Sequence, residues 1–125
     1  ELEKGPTVSV GVKYNGEQLW GRGKDYLWVD AFASVQKQLP DDVLLKCCMT
    51  CKHGNMCPYG NEPGKLFCTK SLVVGSKEDM CNLFDDQENS KIFDRIKSVA
   101  DSCNEYTPQS DDYYTYNDYL YHLEK

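Results

Sequence analysis

Five cysteines fall between Cys47 and Cys68, in a stretch punctuated by Gly54, Pro58, Gly60, Pro63 and Gly64. Glycine and proline interrupt both helices and strands, so residues 48–64 read as a loop. A loop of that length has few apolar side chains with which to offset the entropy of ordering it. It needs a fastening, and its own thiols are the available one. The spacing of Cys48, Cys51, Cys57 and Cys68 is C-x2-C-x5-C-x10-C. A CxxC turn brings two thiolates towards one ion, and two more close a tetrahedral zinc shell. The expectation is a structural Zn2+ held by Cys48, Cys51, Cys57 and Cys68, with Cys81 as the alternative to Cys57.

The other candidates near this cluster carry plainer readings. His53 follows Cys51 too closely to share its ion easily and reads as a loop-lining side chain. Cys47 ends a short strand expected over Val43–Cys47 and points away from Cys48, as a buried thiol. Cys103 falls on an apolar helix stripe and reads as core. Disulfides are the competing arrangement. Seven thiols cannot all pair within one chain, which favours metal-bound and free thiols in a reducing, cytoplasmic compartment. The spacing fits neither common iron–sulfur run. A thioredoxin-type pair should open a helix after a strand, whereas this CxxC enters a Gly/Pro loop.

The run Cys48…Cys51-Lys-His-Gly-Asn-Met-Cys57-Pro-Tyr-Gly-Asn, followed by Leu-Phe-Cys68-Thr-Lys, resembles a group of short, cysteine-rich bacterial and prophage-type proteins. The segment from Gln109 to Leu120 is similar to their C-terminal ends. The resemblance implies no activity and no catalytic residue.

Around the cluster the chain reads as a single α+β domain over residues 1–125, with a small antiparallel sheet, two main helices and a zinc-knuckle-like cysteine loop. Thr7–Tyr14 alternates with period two, and Asn15-Gly16 is a hairpin turn signal that sets Val12 opposite Leu19 and Val10 opposite Gly21. Gly21 and Gly23 then read as loop punctuation. Asp25 can cap a helix whose stripe is Trp28, Ala31, Phe32, Val35 and Leu39, ended by Pro40. Lys65–Val74 reads as one strand or a pair. Asp85 and Glu88 resemble a capping box, and Ile92, Ile96, Val99 and Cys103 continue it as an amphipathic helix. Ser110 caps a last helix on which Tyr113, Tyr116, Leu120 and Leu123 share a face.

Composition bears on function mainly by exclusion. No apolar run exceeds four residues (Tyr26–Val29), which excludes a helical membrane span. The chain carries a formal charge of −6, which disfavours broad duplex binding. The charge is uneven, with five lysines against Glu62 in residues 46–77 and twelve acids against four basic groups in residues 78–125. Local nucleic-acid contact through Lys46, Lys52, Lys65 and Lys70 therefore stays as one alternative. A thiol-redox or metal-dependent enzyme is another, but no Ser/His/Asp, HExxH or paired-carboxylate pattern supports it. The leading expectation is a non-catalytic, zinc-stabilised module that binds a protein partner. Its surface would be the lysine-rich loop or the tyrosine-rich end, since tyrosine is enriched at interface hot spots.

Overall fold

The structure, a computed structural model, describes residues 7–24, 28–60 and 64–124. It is α+β, with two small antiparallel sheets. The chain divides into two compact units, one of Glu1–Leu45 with Asp118–Lys125 and the other of Lys46–Asn117. The chain leaves the first unit at Leu45 and re-enters it at Asp118.

The first unit is built on a hairpin of β1 (Thr7–Tyr14) and β2 (Glu17–Lys24). Asn15 and Gly16 take φ of 52° and 83°, the paired positive values that a type I′ turn demands. The register follows from that turn, with Val12 opposite Leu19 and Val10 opposite Gly21. Val8 is buried, and Val10, Val12 and Tyr14 are half-buried on the same face.

Gly21 is not punctuation but an interior residue of β2. Helix α1 (Trp28–Gln38) passes so close that a Cβ on Gly21 would lie 2.2 Å from the Ala31 carbonyl oxygen and 2.9 Å from the Val35 nitrogen. Only glycine permits that approach. Ala31, Phe32 and Val35 are buried, as the stripe predicted. Asp25, the expected cap, lies outside the described residues.

After Pro40 the chain turns at Asp41-Asp42, and the strand expected over Val43–Cys47 does not form. Its backbone is satisfied by a side chain instead. Gln36 Nε2 donates to the Val43 carbonyl at 2.7 Å, and Leu45 N–H donates to Gln36 Oε1 at 2.9 Å. Helix α4 (Tyr119–Glu124) packs on α1, burying Tyr119 and setting His122 Nδ1 3.4 Å from Asp30 Oδ1.

The second unit has a three-stranded sheet in the order β3 (Gly54–Asn55), β4 (Lys65–Cys68), β5 (Ile96–Ser98). Gly54 pairs with Cys68, and Phe67 pairs with both Asn55 and Ile96. Phe67 centres an apolar cluster with Val74, Met80, Phe84 and Ile92. Met80 and Phe84 come from α2 (Lys77–Asp85), whose first turn is capped by Ser76 Oγ accepting from Asp79 N–H at 3.2 Å.

The long helix expected from Asp85 to Cys103 is replaced by several short elements. Asp85 ends α2 rather than capping a new helix. A single turn, α3 (Gln87–Ser90), stops at Lys91, whose φ of 57° is left-handed. Ser90 Oγ donates to the Leu83 carbonyl at 2.6 Å and accepts from Ile92 N–H at 3.2 Å. A 3-10 turn over Ile92–Arg95 follows. Ile96 then joins the exposed edge of β4, where it satisfies strand hydrogen bonds that a helix would leave open.

The helix expected from Ser110 does not form before Tyr119. Residues 113–117 instead run irregularly along the cysteine segment. Tyr116 N–H donates to Asn55 Oδ1 at 2.5 Å, Met56 N–H to the Tyr116 carbonyl at 2.8 Å, and Thr115 Oγ1 to the Lys52 carbonyl at 2.7 Å. Asn117 Nδ2 donates to the carbonyls of Gly54 at 2.6 Å and Met49 at 3.2 Å. Polar side chains and backbone bind this segment without a helix, and the Tyr114 and Tyr116 rings pack against the Phe67 cluster.

Candidate metal centre

The CxxC turn is a 3-10 turn over Cys48–Thr50. Its backbone lies against β3 at Gly54, where a Cβ would come within 2.0 Å of the Cys48 carbonyl oxygen. Gly54 thus provides a close approach of two backbones. The turn is also tied to the segment after β5. Cys48 N–H donates to the Asp101 carbonyl at 2.6 Å and Met49 N–H to the Val99 carbonyl at 3.1 Å. Thr50 Oγ1 and the Tyr106 hydroxyl share a hydrogen bond of 2.8 Å.

Beside these contacts the second unit holds an open cavity of about 540 Å³. Cys48, Cys51 and Cys68 line it, together with His53 and Cys103. Three of the four thiols picked out by spacing therefore meet one cavity, although Cys68 lies seventeen residues beyond Cys51 in the chain. The fourth, Cys57, does not line it. Strand alternation separates the two places. Leu66 and Cys68 face the cavity, while Phe67 points to the opposite face and its apolar cluster, against which Cys57 packs. Cys81, the alternative ligand, lies on α2 and hydrogen-bonds the Tyr59 hydroxyl, which also donates to Asp85 Oδ1 at 2.9 Å.

All seven cysteines are free thiols. Among the described residues, no group of three or more His, Cys, Asp or Glu side chains stands in ligating geometry around a common point. The donors line a shared cavity without converging on a single centre. Their chemistry suits a thiophilic ion, since thiolate sulfur selects zinc over hard cations.

Cys47 is buried, as expected, but it does not point away from the turn: its sulfur accepts from the Thr50 backbone N–H and caps the 3-10 turn. Cys103 is the residue that sequence reasoning misplaced. It is exposed and sits in an irregular segment, not on a helix. Its immediate neighbours, Asp101, Ser102, Asn104 and Glu105, are all polar, and that polarity is the signal that marks it as a surface thiol.

The cavity wall carries both signs of charge. Asp94, Asp101 and Glu105 line it with Lys70, Arg95 and Lys97. Lys70 Nζ lies 2.9 Å from Glu105 Oε1; this hydrogen bond raises the Lys70 pKa and holds the Glu105 carboxyl below its usual range. Arg95 Nη1 donates to the carbonyls of Cys68 at 3.1 Å and Lys70 at 2.8 Å. Lys52 Nζ stands 4.3 Å from the centroid of the Tyr113 ring. Two of the four lysines considered for nucleic-acid contact, Lys52 and Lys70, are therefore engaged within the unit.

Burial, then the neighbouring Asp101, Cys51 and Cys68, pushes the Cys48 thiol up to about 12. Burial also pushes Cys47 up and holds His53 below its ordinary value, with Lys52 and Lys70 adding to the latter. His53 Nδ1 is buried without a hydrogen-bond partner.

A raised thiol pKa means that the folded chain holds the Cys48 proton more tightly than the unfolded chain does. The corresponding stability is complete below about pH 9 and is lost as pH rises towards about 12. In reducing, chelating buffer, the melting temperature of the metal-free protein is expected to fall more steeply across that window than that of Cys48→Ser. Parallel curves for the two proteins would contradict this assignment.

No family model, curated protein or solved structure gives a significant match to this chain. Among the described residues, no helix is long and apolar enough to cross a membrane.

Proposed function

We propose that the second unit is a zinc-stapled interaction module and that the ion fastens the CxxC turn to β4. The observation that carries this reading is that Cys48, Cys51 and Cys68 line one cavity despite their separation in sequence. Four thiolates form a closed shell with no position for water, so such a zinc is structural and not hydrolytic. Its contribution can be large: structural zinc supplies on the order of 10 kcal/mol in small metal-dependent folds.

Binding of a protein partner is supported by exposed apolar side chains on the same unit. Ile96, the first residue of β5, is exposed, and so is part of Phe93, whose ring also packs edge-on against Phe67 and Phe84; β5 is an edge strand of its sheet. The thiol-redox alternative is less well supported, because a nucleophilic CxxC thiol needs a lowered pKa and Cys48 is shifted upward.

The test is thermal melting of reduced protein, purified without chelator, before and after a strong zinc chelator. The expected result is a markedly lower melting temperature after chelation, reversed by added zinc. An unchanged melting temperature would remove the stapling role.

A further inference from the structure

We propose that Cys103 is the fourth ligand, completing a Cys48, Cys51, Cys68, Cys103 shell for a thiophilic divalent ion, and that the ion thereby closes the segment Asp101–Glu105 as a strap over the cavity. This rests on the zinc reading above and names the ligand that strand alternation leaves open. Cys57 faces the Phe67 cluster and Cys81 faces Tyr59, whereas Cys103 lines the cavity itself.

The strap is held at both ends to the segments that carry the other three thiols. On one side, the Asp101 carbonyl accepts from Cys48 N–H, and Asp101 Oδ2 accepts from Ser98 N–H at 2.9 Å. On the other, Glu105 pairs with Lys70, two residues beyond Cys68, and Tyr106 bonds Thr50 within the CxxC turn. Cys103 is the midpoint between Asp101 and Glu105. It is exposed, and with a single side-chain torsion before its sulfur an inward rotamer is the movement that ligation asks of it, while Cys48, Cys51 and Cys68, which do not converge on one centre in this structure, draw in around the ion.

Binding a divalent ion to four thiols releases their four protons and leaves a shell of net charge about −2. Lys70, Arg95 and Lys97 line the cavity together with Asp94, Asp101 and Glu105, so the wall is balanced in charge and does not by itself favour the shell. Arg95 is already fixed by two carbonyl hydrogen bonds, one of them to Cys68 itself.

The experiment loads the reduced full chain with Co2+ and compares the thiolate-to-cobalt charge-transfer band of wild type, Cys103→Ser and Cys57→Ser. Wild type is expected to show a four-thiolate tetrahedral spectrum. Cys103→Ser should lose about a quarter of the band, one ligand in four, while Cys57→Ser keeps it. Because Cys103 is exposed, its serine variant should fold, which far-ultraviolet circular dichroism checks. Loss of the band in Cys57→Ser with an intact band in Cys103→Ser overturns the assignment but leaves the zinc reading standing. So does a three-thiolate, one-nitrogen spectrum that Cys103→Ser leaves unchanged and His53→Ala abolishes. Failure of wild type to bind cobalt or zinc overturns both.

Discussion

Replacing Asn55 with leucine is expected to destabilise the second unit by about 1–3 kcal/mol, the cost of leaving a hydrogen-bonding group of the interior without its partner. Asn55 is fully buried. Its Nδ2 donates to Thr69 Oγ1 at 2.8 Å, and its Oδ1 accepts from Tyr116 N–H at 2.5 Å. One side chain thus joins β3, the residue after β4 and the segment that follows Gln109. Leucine fills the space with apolar atoms and takes the acceptor from Tyr116 N–H, while Thr69 Oγ1 keeps only its hydrogen bond to the His53 carbonyl at 3.4 Å. A loss of this size is a large part of a small domain's total stability. Denaturant unfolding should show a lower midpoint with an unchanged slope. Asn104→Leu, at an exposed position, should stay within about 0.5 kcal/mol of wild type. Equal midpoints for the two variants would mean that the Asn55 network carries no weight.

Tyr119→Ala is expected to cost the first unit about 3–5 kcal/mol, the usual loss on truncating a buried aromatic. Only 4% of Tyr119 is exposed, and α4, which carries it, packs on the helix that covers the hairpin. Hydrogen exchange along Trp28–Gln38 should accelerate accordingly. Unchanged protection there would make α4 a dispensable appendage. The tyrosine-rich end is not one helix with one role. Residues up to Asn117 complete the cysteine-bearing unit, and those from Asp118 onward complete the other.

The hairpin and α1 were legible in the sequence because their determinants are local. Asn15-Gly16 fixes both the turn and the register, and the helical stripe of α1 ends at a proline. What failed was settled at long range. Ile92, Ile96 and Val99 have helical spacing, yet Lys91 in the left-handed region ends α3, and the free edge of β4 recruits Ile96–Ser98. Gly21 and Gly54 looked like loop residues because their purpose, a close pass of another backbone, has no signature along the chain. Within the candidate site, the CxxC turn and Cys68 were found by spacing. Cys57 could not be placed without knowing which face of β4 it would meet. Cys103 was hidden by the false helix stripe, although its polar neighbours pointed to the surface.

Native mass spectrometry of the full chain, purified under reducing conditions without chelator, tests the zinc-stapled cavity most directly. One zinc per chain is predicted, removable by chelator, with Cys48→Ser and Cys51→Ser losing the ion under the same conditions. A metal-free chain at the mass of intramolecular disulfides would contradict the account and assign the cysteines to covalent crosslinks instead.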